Sequence, residues 1–374
     1  MRVAFLADML YYRIAGGTTR YAASLLRELG SLDSVETALF SVYGPETIAR
    51  VAAERGYPEA CSMPSRLPRP ARYLLWHAFG LGSPVGGGSE EVDVVHTPSL
   101  LVPPSSRAPL VVTIHDISFR LFPRYHSRWP RAIAELGLRR AVSHADAIIT
   151  DARSTADDLI RHTRAPASKL HVVPIAADPV FRPLDDPEIL RKYGIDAPYL
   201  LFVGTFEPRK NILAIVEAFA ELPDRSVKLV LTGAAGWLLE DMGARVAELK
   251  LQDRVIFTGY VPDESIAALM SSSLGFVYPS WYEGFGLPVL EAMQCGAPVI
   301  TSCVSSLPEV VGDAALQVAP DDAAALRSAM ARIVSEPGLR EELRGRGLAR
   351  AAQFSWKETA RMTAEVYRSV VASR

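Results

Sequence analysis

The stretch Gly275-Phe276-Val277-Tyr278-Pro279-Ser280-Trp281-Tyr282-Glu283-Gly284-Phe285-Gly286-Leu287-Pro288-Val289-Leu290-Glu291-Ala292 decides the fold. Gly275–Val277 is a short apolar run of strand length, and Pro279 closes it. A glycine-containing loop follows. Pro288 then suits the first turn of a helix, where its missing N–H costs nothing. A buried strand, a tight loop and a helix in that order form half of a βαβ unit. A helix that starts after Gly286 points unpaired backbone N–H groups and the positive end of its dipole at the loop, where an anion can sit. Glu283 precedes that start and Glu291 lies about one turn inside it. Two such carboxylates can grip hydroxyls on two sugar rings flanking a diphosphate. Spacing alone fits two solvated glutamates on a tight loop equally well.

The same alternation runs outward in both directions. Val3–Leu6, Val92–His96, Leu110–His115 and Ala147–Thr150 read as buried strands, with helices over Thr19–Leu29 and Arg131–Ser143. Further on, strands are expected at Tyr199–Gly204, Lys228–Gly233, Val255–Thr258, Gly275–Val277 and Pro298–Thr301. Helices are expected at Ile212–Glu221, Asp241–Leu249, Asp263–Ser271 and Pro288–Cys295. The proline-rich Val173–Pro183 separates the two series. With 374 residues, two domains are the natural division. The expected organisation is residues 1–173, a linker at 174–183, a second domain at 184–355 and a tail helix at 356–374. Ser355 can cap that helix, and Ala360, Thr363, Ala364, Tyr367 and Val371 fall near one face.

Composition excludes several classes. A net charge of -2 supplies no global attraction for nucleic acid. Cys61, Cys295 and Cys303 form no pair or Cys/His cluster, which fits a reducing cytoplasm better than a disulfide scaffold. No apolar run reaches membrane-spanning length. Neither a dinucleotide G-x-G-x-x-G fingerprint nor an Asp-x-Asp metal signature occurs, so no metal or other cofactor is expected.

Three further features carry chemistry. Arg209-Lys210 follows a strand, and a forked guanidinium beside an ammonium suits phosphate oxygens; a basic turn cap is the plainer reading. His115-Asp116 ends a strand, where parallel sheets face their ligands. Gly16-Gly17 opens the first helix and lets backbone approach a ligand closely, with Arg20 a weaker candidate.

EGFGLPVLEAMQCGAPVI from Glu283, SSLPEV from Ser305, GDAA from Gly312 and VGTFEPRKN from Val203 together resemble the retaining GT-B glycosyltransferases of family 4. The likeness covers most of the second half and is weaker in the first. It implies two Rossmann-like α/β domains with parallel sheets facing across a cleft, the first for acceptor and the second for donor. By that resemblance Glu283 binds hydroxyls of the transferred sugar, Glu291 binds the ribose, Gly284, Phe285, Gly286 and Leu287 line the donor, and backbone amides near Gly286 and Leu287 meet its diphosphate. His115 contacts the sugar near the reacting carbon, Gly16-Gly17 lies beside the phosphate, and the loop Thr258–Pro262, with Val261, meets the base through backbone. Many members carry Arg directly after the glycine where this chain has Thr205; Arg209 and Lys210 then supply the cation. The tail helix is implied to cross back onto the first domain.

The likeness to bacterial mannosyl- and rhamnosyltransferases of surface polysaccharides implies a nucleoside diphosphate sugar, GDP-mannose first, with a UDP-hexose or deoxysugar nucleotide as the alternative. The acceptor is a saccharide, free or lipid-linked. Rival readings are a sugar-nucleotide epimerase or hydrolase and a non-catalytic sugar-nucleotide binder. Arg120, Arg124, Arg128 and Arg131 alternate with Phe119, Phe122, Tyr125 and Trp129, while Arg66, Arg69 and Arg72 lie beside Tyr73 and Trp76. Both groups are expected at the surface, where they can dock on anionic lipid headgroups at the cytoplasmic face of the membrane, stack on sugars, or form a solvated face with a few half-buried rings; Gly86–Gly88 suggests a mobile loop.

Overall fold

The computed structural model describes residues 1–12, 16–63, 67–81, 92–104, 107–233 and 239–373; Arg66 and Gly86–Gly88 lie outside them. Two compact units form. One contains Met1–Ile175 and Ser355–Arg374, the other Ala176–Phe354.

In the first unit the strands are β1 (Arg2–Leu6), β2 (Glu36–Ser41), β3 (Cys61–Ser62), β4 (Val94–Thr97), β5 (Leu110–Thr113), β6 (Ala147–Thr150) and β7 (Leu170–Val172). Among the described residues they make one parallel sheet in the order β3-β2-β1-β4-β5-β6-β7. β4, β5 and β6 are buried along their whole length, as parallel strands covered on both faces must be. The helices are α1 (Gly17–Leu29), α2 (Pro45–Arg55), α3 (Arg69–Phe79), α4 (Ser118–Leu121), α5 (Arg128–His144) and α6 (Arg153–His162).

The second unit has β8 (Tyr199–Val203), β9 (Lys228–Thr232), β10 (Val255–Gly259), β11 (Gly275–Tyr278), β12 (Val299–Ser302) and β13 (Ala315–Val318). These are again parallel, in the order β10-β9-β8-β11-β12-β13. Its helices are α7 (Pro187–Lys192), α8 (Ile212–Ala220), α9 (Leu239–Glu248), α10 (Asp263–Ser272), α11 (Leu287–Gln294), α12 (Leu307–Val311), α13 (Ala323–Ser335) and α14 (Pro337–Ala351). Residues 176–183 pack onto this unit: Phe181 is buried, and Gln294 Nε2 donates to the carbonyls of Asp178 and Phe181.

The chain then returns to the first unit as α15 (Trp356–Ala372), with the Ser355 hydroxyl accepting from Glu358 N–H at 3.1 Å. Its Tyr367 hydroxyl sits 2.6 Å from His96 Nδ1, and His96 Nε2 lies 2.9 Å from Thr113 Oγ1, so a tail residue is bonded into the central strands. Burial pushes His96 down to about 3, so the imidazole is neutral and one nitrogen accepts. Ala360, Thr363, Ala364 and Tyr367 face inward as expected, but the next inward position is Val370; Val371 is exposed, because the helical repeat returns after three residues there.

The second basic-aromatic group is not a surface. On α3, Arg72, Tyr73 and Trp76 are buried. The Tyr73 hydroxyl donates to buried Asp8 Oδ2 at 2.8 Å, Arg72 donates to the Met63 carbonyl, and the Arg69 guanidinium lies 3.6 Å over the Tyr43 ring. Those charges are consumed inside the unit. In the first group Phe119 is buried too and Arg120 pairs with Glu135, while Arg124, Arg128, Trp129 and Arg131 remain exposed. Among the described residues no helix is long and apolar enough to cross a membrane.

Candidate active site

In the second sheet the strand order reverses between the neighbours β8 and β11: β9 and β10 are added outward on one side of β8, and β11, β12 and β13 on the other. Loops leaving the carboxyl ends of two such neighbours diverge and leave a crevice where open α/β sheets bind ligands. The loop after β8 carries Thr205, Arg209 and Lys210; the loop after β11 carries Glu283 to Gly286. Parallel pairing of β8 and β11 therefore brings together residues more than seventy positions apart.

The two loops are stitched by backbone. Trp281 N–H donates to the Arg209 carbonyl at 2.9 Å. Asn211, in the left-handed region at φ 58°, donates through Nδ2 to the carbonyls of Pro279 and Pro320. Ser305 Oγ accepts from Glu283 N–H at 2.9 Å, and the Ser306 hydroxyl lies within reach of the Glu283 and Phe285 carbonyls.

On this frame the charges converge. Lys210 Nζ is 2.6 Å from Glu283 Oε1, and Arg209 Nη1 is 3.0 Å from Glu283 Oε2. Arg209 also pairs with Glu207 at 2.6 Å. The Ser280 hydroxyl donates to Glu283 Oε1 at 2.7 Å, and Lys210 donates to the Tyr278 hydroxyl. Lys210 and Glu283 are both buried. Burial alone raises the Glu283 carboxyl, but Lys210, Arg209 and the hydrogen bonds outweigh it and hold the group at about 2. Burial also pulls the Lys210 ammonium down, opposed by Glu283. The result is an ionised carboxylate between two cations, positioned without a water shell.

Gly286 adopts φ 101° immediately before α11, and a Cβ there would come within 2.6 Å of Leu307 Cδ2. Both constraints admit only glycine. The turn directs the start of α11, with Leu287 first, toward the loop of Glu283. Gly284 and Phe285 are buried, and the Phe285 ring meets Phe354 edge-on at 5.8 Å. Glu291 is buried on α11. Burial, with the Glu291 charge adding, pushes the Cys295 thiol one turn further up to about 12. Thr205 is exposed at the head of the first loop, and Val261 is buried beyond edge strand β10, two strands away from β8.

His115, Gly16 and Gly17 lie in the first unit. His115 Nδ1 is 2.6 Å from Asp151 Oδ2, Nε2 is 3.1 Å from the Pro98 carbonyl, and Tyr21 packs edge-on at 4.6 Å. Burial opposes the charged ring, but Asp151 prevails and raises its pKa. With an acceptor at each nitrogen, the site fits an imidazolium. Gly16 and Gly17 open α1, and a Cβ on either would touch nothing in the protein. Sequence reasoning did not single out Asp151, Tyr278, Ser280, Ser305 or Ser306 as site residues. Asp151 had a signal, since it directly follows a recognisable strand; the serines stood inside a quoted motif without a role.

Residues 185–350 match the family model described as glycosyl transferases group 1, and residues 15–181 match glycosyltransferase family 4. The O-antigen chain mannosyltransferase B of Escherichia coli is 36% identical over 283 residues, covering 74% of each chain. The chain belongs to the family 4, group 1 glycosyltransferases. The serotype-specific mannosyltransferase WbdA of Escherichia coli is 31% identical over 61% of this chain, which spans 29% of that longer protein. In fold, this glycosyltransferase is similar to sucrose-phosphate synthase from Thermosynechococcus elongatus, with a TM-score of 0.75 at 23% identity over 100% of both chains. Its two parallel α/β domains are those of the GT-B class.

Proposed function

We propose that this glycosyltransferase moves mannose, with retention of anomeric configuration, from GDP-mannose to a saccharide acceptor, free or lipid-linked, in polysaccharide synthesis. The mannose assignment is supported by the printed activities of the two relatives above. The observation that carries the site assignment is the Arg209–Lys210–Glu283 cluster, its lysine and glutamate buried, beside the glycine-gated start of α11. Such a cluster offers fixed positive charge where a departing nucleoside diphosphate gathers negative charge, and fixed dipoles cost no reorganisation during reaction. In this reading Glu283 accepts from sugar hydroxyls and keeps both cations placed, Glu291 accepts from ribose hydroxyls, and the backbone of Gly284–Leu287 meets the diphosphate. Thr205 and Val261 flank the donor, Gly16 and Gly17 approach its phosphate, and His115 contacts the sugar near the reacting carbon.

The acceptor oxygen forms its bond to the anomeric carbon as the carbon–phosphate oxygen bond breaks, on the same face. The leaving phosphate takes the acceptor proton, so no enzymic nucleophile is required. The side-chain cations do the work a metal does elsewhere, and transfer is expected to survive chelator.

The test is a panel of nucleotide sugars with the wild type, Glu283→Ala and Glu291→Ala. GDP-mannose should support transfer to an added saccharide. Glu283→Ala should abolish transfer with nucleotide affinity kept, and Glu291→Ala should weaken nucleotide binding by tenfold or more, on the order of 1.4 kcal/mol or more. Normal transfer by both variants refutes the site. Turnover independent of any acceptor points instead to hydrolysis or epimerisation, and preference for a UDP sugar reassigns the donor.

A further inference from the structure

Helix α3 is built inside out. Its charged and titratable residues Arg69, Arg72, Tyr73 and His77 are buried or partly buried, with Arg72 bonded to Met63, Tyr73 to Asp8, and His77 Nε2 accepting from Val102 N–H at 3.1 Å. The exposed positions of the helix and of the turn after it are Pro70, Leu74, Ala78, Phe79 and Leu81, and none carries a charge. Leu74 is 44% exposed, Phe79 67% and Leu81 59%. Pro70, Leu74 and Ala78 recur at the four-residue spacing of one helical stripe, and Leu81 follows just past the helix. An ordinary surface helix of a soluble domain has the opposite arrangement, so this face is made for a non-aqueous partner.

The neighbour of α3 identifies that partner's charge. α3 packs against α5: a Cβ on Gly137 would lie 3.2 Å from the His77 ring, and one on Gly80 would lie 3.1 Å from Arg140. The exposed residues that lead into and open α5 include Arg124, Arg128, Trp129 and Arg131, with Trp129 81% exposed, and no acidic residue. The acidic residue of this helix, Glu135, is already held by Arg120 and Arg139. An apolar stripe beside an arginine strip that carries an exposed indole has the composition of an interfacial membrane surface.

We propose that the outer face of α3, flanked by the arginines and Trp129 of α5, inserts shallowly into the headgroup region of an anionic bilayer. The arginine strip beside the stripe favours an anionic bilayer over a second copy of the chain as occupant. The segments nearest the stripe in sequence, Pro64–Arg66 and Gly82–Glu91, offer Val85 as their one large aliphatic residue and supply too little apolar surface to cover it. The inference deepens the reading of a lipid-linked acceptor, but its test uses neither donor nor acceptor, so failure would leave the transferase assignment untouched.

The experiment is flotation of the full chain with vesicles of phosphatidylcholine, with and without phosphatidylglycerol. The wild type should bind the anionic vesicles and release in high salt. Leu74→Asp with Phe79→Asp should weaken binding more than about tenfold, from lost burial of two large side chains. Arg128→Glu and Arg131→Glu should each weaken it at least roughly fivefold. Melting temperature checks each fold, with Leu74→Gln and Phe79→Gln as the milder pair. Failure to bind either vesicle, or undiminished binding by the Leu74 and Phe79 variants, overturns the proposal. So does a wild-type dimer in sedimentation that the same variants dissociate, since that gives the face to a second copy.

Discussion

Replacing Glu283 by Gln keeps the shape and a hydrogen-bond acceptor but removes the charge that Lys210 and Arg209 share. The cost can be worked from the site. A carboxyl held at about 2 instead of 4.5 contributes ~3 kcal/mol at neutral pH. The mutational range for leaving one member of a buried ion pair unpartnered is about 3–5 kcal/mol. Glu283→Gln should therefore lower the melting transition of the second unit by roughly 6–20 °C. The group has a depressed folded pKa, so its contribution is complete above the unfolded value of 4.5 and disappears as pH falls toward about 2. The stability gap between wild type and Glu283→Gln should close over that window. Lys210→Met should be destabilising alone, yet the double variant should recover about 2 kcal/mol relative to the sum, because neither buried charge is then orphaned. Urea titrations of the four proteins at neutral pH and near pH 3 measure both effects. Additivity within about 0.5 kcal/mol, or a gap independent of pH, would refute the buried-network account.

Gly286→Ala should destabilise by about 1–3 kcal/mol from backbone strain, with more from the Leu307 clash, and should cut transfer more steeply than stability; parallel melting and turnover measurements separate the two. Asp151→Asn should lower the His115 pKa, read by NMR titration. His115 is raised in the fold, so its stabilisation is present at pH below the unfolded value of 6.5 and fades as pH climbs through the folded one; the variant should flatten that slope. Tyr367→Phe should cost about 1 kcal/mol through the lost bond to buried His96, seen as a lower melting temperature of the first unit.

What the sequence disclosed followed from how completely each segment is buried. Ala147–Thr150 coincides with β6, and Lys228–Thr232, Gly275–Tyr278 and Ile212–Ala220 differ from expectation by a residue or so, because buried strands and helices write their period into apolar residues. β2 is largely half-exposed and β3 has two residues, so neither leaves a clear run, and both went unread. The Glu283–Glu291 spacing was legible, but the closure of Arg209 and Lys210 onto Glu283 was not, since it depends on β8 lying beside β11. The Arg69–Trp76 group was misjudged because composition does not tell which side of a helix is wet. Asp8, distant in sequence, turns its polar residues inward.

The placement of α15 has a consequence for biosynthesis. The second unit is one continuous stretch and can fold as soon as it leaves the ribosome. The first unit, although translated earlier, lacks Tyr367 against His96 of β4 until the second unit and the start of α15 have been made. Its central strands therefore spend the synthesis of the other unit incomplete, and early termination before Trp356 would strand the older half while leaving the younger half intact.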